Sequence, residues 1–107
     1  MDLYLEIQDK VKALDEAIAE LESLAYRKAK SNQEYKVVKA QVSFTLKAQG
    51  YPVSLIADIC YRDEELSNSL HEKDLAESLY EVCQEKINAL KLNIRLLENQ
   101  LAREYGR

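Results

Sequence analysis

Residues 76–101, AESLYEVCQEKINALKLNIRLLENQL, carry the clearest structural signal in the chain. Apolar residues recur there at alternating steps of four and three, which is the heptad spacing of a helix that packs along another helix. The sequence therefore predicts a long helix, from about 64 to about 105. Its packing face comprises Ala76, Tyr80, Cys83, Ile87, Leu90, Ile94, Leu97 and Leu101.

The first half of the chain repeats this spacing in Ile7, Val11, Leu14, Ile18, Leu21 and Ala25. The same register turns polar at Lys28 and Asn32 and resumes at Tyr35, Val42 and Leu46, with Val38 covering for Lys39. Because no Gly or Pro interrupts this register, it predicts one continuous helix, about 3–49. Two shorter helices with a joint near Ser31 and Asn32 are the alternative.

Between these helices lies the turn. Gly50 can cap the first helix, and Pro52 prevents its continuation. A short helix, about 53–60, is predicted to fold over the open end of the hairpin, and Asp63 is a candidate N-cap for the second long helix. The predicted fold is all-α. It is one domain, 1–107, forming a long antiparallel coiled-coil-like hairpin with a short capping helix at the turn, and it is expected to dimerise as a helical bundle.

Charge predicts how the two helices face each other. Residues 1–22 carry seven acids and two bases, whereas 86–107 carry five bases and two acids. Along the other half of the hairpin, near the turn, the facing stretches of the two helices also carry opposite net charges. This pattern favours an antiparallel register in which facing residue numbers sum to about 112.

Composition narrows the classes of function. The 107 residues carry a net charge of −4, which disfavours general nucleic-acid binding. No apolar run is long enough to predict a membrane span, and the acidic N-terminus does not read as a secretory signal. Cys60 and Cys83 form no spaced framework, which fits a reducing compartment. The expected location is the cytoplasm.

A basic cluster on the first helix is the candidate nucleic-acid patch. Intramolecular pairing with Asp74, Glu77, Glu81 and Glu85 across the hairpin is the favoured interpretation, because few aromatic side chains are interleaved for base stacking. The cluster comprises Arg27, Lys28, Lys30, Lys36 and Lys39.

No residue pattern predicts catalysis, a cofactor or a metal site. His71 has no second His or Cys three or four residues away, so it reads as a solvated histidine. Cys83 lies on the heptad face, Cys60 lies in the turn, and neither has a base beside it in the sequence. The chain is therefore interpreted as a non-enzyme without cofactors.

A second apolar stripe on the last helix is the candidate partner or oligomer interface. A two-helix seam does not require it, so it indicates contact with a further neighbour. The short helix can cover its N-terminal part, whereas Val82 and Leu96 are expected to meet a second copy or a different protein. The stripe comprises Leu75, Leu79, Val82, Ala89 and Leu96.

The C-terminal half of the chain resembles a family of small helical accessory proteins of unknown function encoded by phages and prophages of Gram-positive bacteria. The resemblance rests on residues 50–56, 62–65, 86–88 and above all 93–106, NIRLLENQLAREYG. Relatives often end in Glu-Trp-Gly, where this chain has Tyr105. Small secreted helical hairpins with a Trp-x-Gly turn are less similar, because this chain has no tryptophan. The resemblance implies an accessory protein in the cytoplasm of a bacterial host cell and transfers no catalytic residues.

Together, the residue patterns and this resemblance predict a non-catalytic phage or prophage accessory protein that acts by protein–protein interaction. One form of this hypothesis is an inhibitor of a host defence or nuclease protein. A replication or recombination accessory that binds DNA through the basic cluster is the first alternative. A purely structural, self-assembling helical protein is the second. The expected partners are a further copy of the chain and a host or phage protein, with no membrane.

Overall fold

The computed structural model describes residues 2–106, and every regular element in that range is helical. Helix α1 spans Leu3–Ala48, α2 spans Val53–Ile59, a single 3₁₀ turn spans Cys60–Arg62, and α3 spans Glu64–Tyr105. The two long helices pack antiparallel with the short helix at the turn, which confirms the predicted hairpin. Helix α1 continues through residues 27–34, so the alternative with a joint there is wrong.

The chain divides into two compact units, and each long helix contributes to both. The terminal unit contains the residues up to Leu24 and those from Tyr80 onward. The turn unit contains Ala25–Leu79. Each unit has its own set of buried side chains.

The core of the terminal unit confirms the heptad face of α3. Cys83 and Ile87 are buried together with Ala17 of α1. The predicted positions further along α3 are half-buried, because a seam between two helices leaves its side chains partly open to solvent. Partly buried leucines complete this core: Leu14, Leu21, Leu24 and Leu90.

Helix α1 keeps much of the predicted packing face, including Leu14 and Leu21, but is rotated so that Ala17 takes the place of Ile18. Ala17 is 1% exposed, whereas its neighbour Ile18, predicted to lie on the seam, is 40% exposed. In the turn unit Ser31 is buried in place of the predicted Asn32, and its hydroxyl donates to the Lys28 carbonyl at 3.1 Å. A small residue at the seam lets two helices approach closely, which explains why α1 turns Ala17 rather than the larger Ile18 towards α3.

The connection after α1 begins with a helix cap that the sequence predicts. Gly50 has φ +93°, the left-handed conformation that favours glycine. Its N–H donates to the Lys47 carbonyl at 3.0 Å, and the Tyr51 N–H donates to the Leu46 carbonyl at 3.2 Å. These two bonds form a Schellman motif and satisfy carbonyls at the end of α1.

Asp63 starts α3, as predicted. Its Oδ2 accepts a hydrogen bond from the Leu66 N–H at 3.0 Å, which is the N-cap arrangement. The Ser67 hydroxyl donates to the Tyr61 carbonyl at 2.6 Å and ties the 3₁₀ turn to the start of α3. Around this junction Ile56, Cys60 and Leu66 are buried.

The register predicted from charge is wrong. It would place Ala29 opposite Cys83 and Glu85 opposite Arg27, but Cys83 contacts Ala17 and Arg27 pairs with Glu72. The reason lies in the turn unit. The segment containing α2 and Tyr61 runs back along the last turns of α1 and reaches Tyr35, so α3 starts short of the C-terminal end of α1.

Candidate interaction surface

The largest exposed aliphatic side chains of α3 in the terminal unit lie along one face. Val82 is 66% exposed, Leu96 55% and Leu92 52%, and Ala89 between them is also exposed. Val82, Ala89 and Leu96 are predicted stripe residues, and Leu92 is an addition. Its position four residues before Leu96 is the sequence signal that identifies it. We call Val82, Ala89, Leu92 and Leu96 the outer stripe.

The other two predicted stripe residues belong to the turn unit. Leu75 is exposed and Leu79 is half-buried. Both occupy positions on α3 that continue the heptad spacing of Val82, Ala89 and Leu96. The outer stripe is confined to the terminal unit.

An ion pair marks one edge of the α1–α3 seam in the terminal unit. Lys86 Nζ lies 3.5 Å from Glu20 Oε2, and both side chains are more than half exposed. Val82 and Ala89 lie four residues before and three residues after Lys86, so they neighbour it on the helix surface. The outer stripe therefore runs beside the Glu20–Lys86 edge.

Exposed apolar residues on α1 form a second row in the terminal unit. Tyr4, Val11 and Ile18 are spaced by seven residues, and each is at least 40% exposed. Ile18 directly follows the buried Ala17, whereas Glu20 directly precedes the seam residue Leu21. On a helical wheel these positions lie at opposite edges of the seam, so this row and the outer stripe face different sides. We call Tyr4, Val11 and Ile18 the α1 row.

The predicted basic patch is partly used within the turn unit. The Arg27 guanidinium donates to Glu72 Oε1, with Nε at 2.8 Å and Nη2 at 2.7 Å. The prediction that Arg27 pairs with Asp74, Glu77, Glu81 or Glu85 is therefore wrong. Asp74 and Glu77 instead contact Lys73, at 4.0 and 3.1 Å.

The remaining patch lysines do not form a uniform surface. Lys30 and Lys36 are exposed, whereas Lys28 and Lys39 are half-buried. Lys39 Nζ lies 5.8 Å from the ring centre of Tyr35 and 5.7 Å from that of Tyr61, which is cation–π geometry. Two members of the patch, Arg27 and Lys39, thus have partners inside the chain, and a nucleic acid would compete with these contacts.

Two tyrosines and two lysines form a polar cluster in the turn unit that the sequence analysis missed. The Tyr35 and Tyr61 hydroxyls lie 2.8 Å apart, and Lys73 Nζ lies 5.6 Å from the Tyr35 ring centre. The mutual hydrogen bond raises the pKa of Tyr35 and lowers the pKa of Tyr61. Its interaction with Tyr61 raises the pKa of Lys39, and the ion pair with Glu77 raises the pKa of Lys73.

Beside this cluster the turn unit holds an open cleft of about 690 Å³ between the last turns of α1 and α2. Its walls include Val42, Leu46, Leu55 and Ile59, and its rim includes Arg62. The volume falls in the range of small-molecule sites. The polar residues at its rim either cap a helix or are exposed to solvent, so they do not indicate which class of ligand the cleft would bind.

The cysteines and the histidine occupy structural or solvated positions. Both thiols are buried, and each donates a hydrogen bond to a backbone carbonyl, Cys60 to Ala57 and Cys83 to Ala17. His71 is exposed. Within residues 2–106 no three His, Cys, Asp or Glu side chains are grouped to hold a metal ion.

Membrane insertion finds no support in the described helices, since none of them combines the length and apolar character that crossing a bilayer requires. No family model, curated protein or solved structure matches this chain.

Proposed function

We propose that this protein is a non-catalytic interaction module that binds a helix of another polypeptide through the outer stripe of α3. The observation that carries the proposal is the exposure of Val82, Leu92 and Leu96 on one face of a helix whose opposite face already packs on α1. A helix that is apolar on two faces is typical of one that has two neighbours.

The energetic argument supports association. Full burial of a Val or Leu side chain contributes about 1.5–3 kcal/mol. Three such side chains at more than half exposure leave roughly 3–5 kcal/mol of burial unrealised in the single chain, before the entropic cost of association. A partner with a complementary apolar helix face would recover it.

The same proposal covers the biological role. The resemblance of residues 93–106 to small phage and prophage proteins supports an accessory role in a bacterial cytoplasm, including inhibition of a host protein. An accessory protein of this size would act by occupying a surface of its target. The outer stripe is a surface on this chain that suits such contact.

Site-specific photocrosslinking tests the proposal. A photoreactive amino acid is placed at Val82 or Leu96, and at Val37 as the control. Val37 is an exposed valine, 49% accessible, on α1 in the turn unit. The purified protein is irradiated alone and in a Gram-positive bacterial lysate, and adducts are identified by mass spectrometry.

We expect one dominant adduct from both stripe positions and none from Val37. The proposal is wrong if Val37 yields the same adducts, because the capture is then non-specific. It is equally wrong if neither stripe position yields any.

A further inference from the structure

The α1 row and the outer stripe match in spacing. Tyr4, Val11 and Ile18 recur every seven residues, and so do Val82, Ala89 and Leu96. Rows with the same heptad spacing can interdigitate along two helices over several turns. Their equal spacing therefore meets the first requirement for a contact between the two rows.

Val11, in the middle of the α1 row, borders a shallow and open depression on the surface of α1, together with Ile7, Gln8, Lys12 and Asp15. Asp15 lies four residues after Val11 and three before Ile18, so its carboxylate flanks both exposed side chains. A side chain that contacts Val11 or Ile18 would therefore lie next to that carboxylate.

Charge distinguishes the two rows. Residues 2–24, which carry the α1 row, contain seven acidic and two basic side chains. Around Leu92 and Leu96 the sign is reversed, because Arg95 lies three residues after Leu92 and Arg103 lies seven residues after Leu96. The part of the outer stripe around Leu92 and Leu96 is therefore electrostatically complementary to the α1 row, whereas Glu81 and Glu85 beside Val82 are acidic.

The two rows face different sides of the terminal unit. The outer stripe runs beside the Glu20–Lys86 edge of the seam, and Ile18 lies at the other edge. A single pair of copies related by a two-fold axis cannot bring both rows of each copy together. Contact between unlike faces is heterologous, and it continues from copy to copy until it closes.

We propose that the occupant of the outer stripe is the α1 row of a second copy of this chain, in a head-to-tail contact that places Asp15 and Glu22 against Arg95 and Arg103. This inference rests on the proposed function and names the partner of the same stripe. The contact leaves one free α1 row and one free outer stripe at the ends of any open assembly.

Sedimentation velocity over a range of protein concentrations tests the contact. The variants are Ile18→Glu, which blocks the α1 row, Leu96→Glu, which blocks the outer stripe, and Val37→Glu as the control outside both. We expect the parent and Val37→Glu to gain mass with concentration, and each of the other two variants alone to remain a single chain.

The decisive sample is an equimolar mixture of Ile18→Glu and Leu96→Glu. One copy keeps an intact outer stripe and the other an intact α1 row, so a head-to-tail contact gives a complex of two chains and no larger species. Circular dichroism of each variant establishes that the helices are retained. A second pair, Asp15→Arg with Arg95→Asp, should associate when both changes are combined in one chain and weaken when either is alone.

Two results would overturn the inference while leaving the proposed function to its own crosslinking test. The first is a parent that stays a single chain at every concentration. The second is an Ile18→Glu variant that associates like the parent while Leu96→Glu does not, because the outer stripe then meets something other than the α1 row.

Discussion

The thiol of Cys83 lies 3.4 Å from the carbonyl oxygen of Ala17 and donates a hydrogen bond to it. A side chain of α3 thus reaches the backbone of α1, with Ala17 1% and Cys83 3% exposed. This approach is available because Ala17 has only a methyl group at the seam. The spacing of the two helices in the terminal unit therefore depends on a small residue at this position.

Enlarging Ala17 should destabilise the terminal unit. Ala17→Leu must push the helices apart or force strained rotamers, and overpacking of this kind costs about 1–3 kcal/mol. Ala19→Leu is the matched control, because Ala19 is exposed on the same helix. Urea unfolding followed by circular dichroism should show a lower midpoint for Ala17→Leu and almost no change for Ala19→Leu. Equal midpoints for the two variants would show that Ala17 does not set the helix spacing.

The contrast between Ala17 and Ile18 shows what sequence periodicity can predict. The heptad face of α3 is apolar at nearly every position, so its phase is unambiguous, and its central residues Cys83 and Ile87 are buried as predicted. On α1 two neighbouring phases share Leu14 and Leu21 and differ at Ala17 against Ile18. Hydrophobicity favours isoleucine, whereas close packing favours alanine, and packing prevails.

Gly50 should resist substitution for a conformational reason. Its φ of +93° is strained for a side chain, although a Cβ added there would meet no atom within 4 Å. The cost is therefore backbone strain without a clash, about 1–2 kcal/mol for Gly50→Ala. Gly50→Asn should cost less, because asparagine tolerates the left-handed region.

Thermal unfolding of the two Gly50 variants, with Gln49→Ala as the control, measures this difference. We expect the melting temperature to fall in the order parent, Gly50→Asn, Gly50→Ala, with Gln49→Ala close to the parent. A Gly50→Ala protein as stable as the parent would contradict the Schellman cap.

The Arg27–Glu72 pair should contribute measurably but modestly. Both side chains are 42% exposed, so solvent screens the pair, and exposed pairs contribute about 0.2–1 kcal/mol. Two guanidinium nitrogens contact the same carboxylate oxygen at 2.8 and 2.7 Å, whereas Lys86 Nζ lies 3.5 Å from Glu20. The coupling energy should therefore be larger for Arg27–Glu72 than for Glu20–Lys86.

Double-mutant cycles to alanine at both pairs compare the two energies directly. Repeating the cycles at high salt should reduce both couplings, because ions screen exposed charges. A larger coupling for Glu20–Lys86 would contradict the geometric argument.

The outer stripe could be predicted from the sequence, whereas the Tyr35–Tyr61 pair could not. The outer stripe is visible in the sequence because surplus leucines and valines stand outside a heptad seam. The Tyr35–Tyr61 pair is not visible, because it depends on where the turn segment meets α1. The charge pattern misplaced that meeting point, since several registers of a hairpin rich in Glu and Lys satisfy most charges.

The Tyr35–Tyr61 pair should titrate as two separated steps. Since the hydroxyls share one hydrogen bond, Tyr61 ionises first while Tyr35 donates to the phenolate, and Lys39 also favours that phenolate. The pKa of Tyr61 should lie below the ordinary 10.0, and that of Tyr35 above it. NMR of tyrosines labelled with ¹³C at Cζ measures each phenol during alkaline titration.

Stability should follow the signs of these shifts. A lowered pKa for Tyr61 means that the folded state releases this proton more readily, so the free energy of unfolding rises as pH passes through that pKa. The raised pKa values of Tyr35, Lys39 and Lys73 act in the opposite direction, so stability is lost as pH rises through them. Tyr35→Phe removes the donor to Tyr61 and should return the pKa of Tyr61 towards 10.0. If Tyr61 titrates identically in the parent and in Tyr35→Phe, the two hydroxyls are not bonded in solution, and this hydrogen bond does not join the 3₁₀ turn to α1.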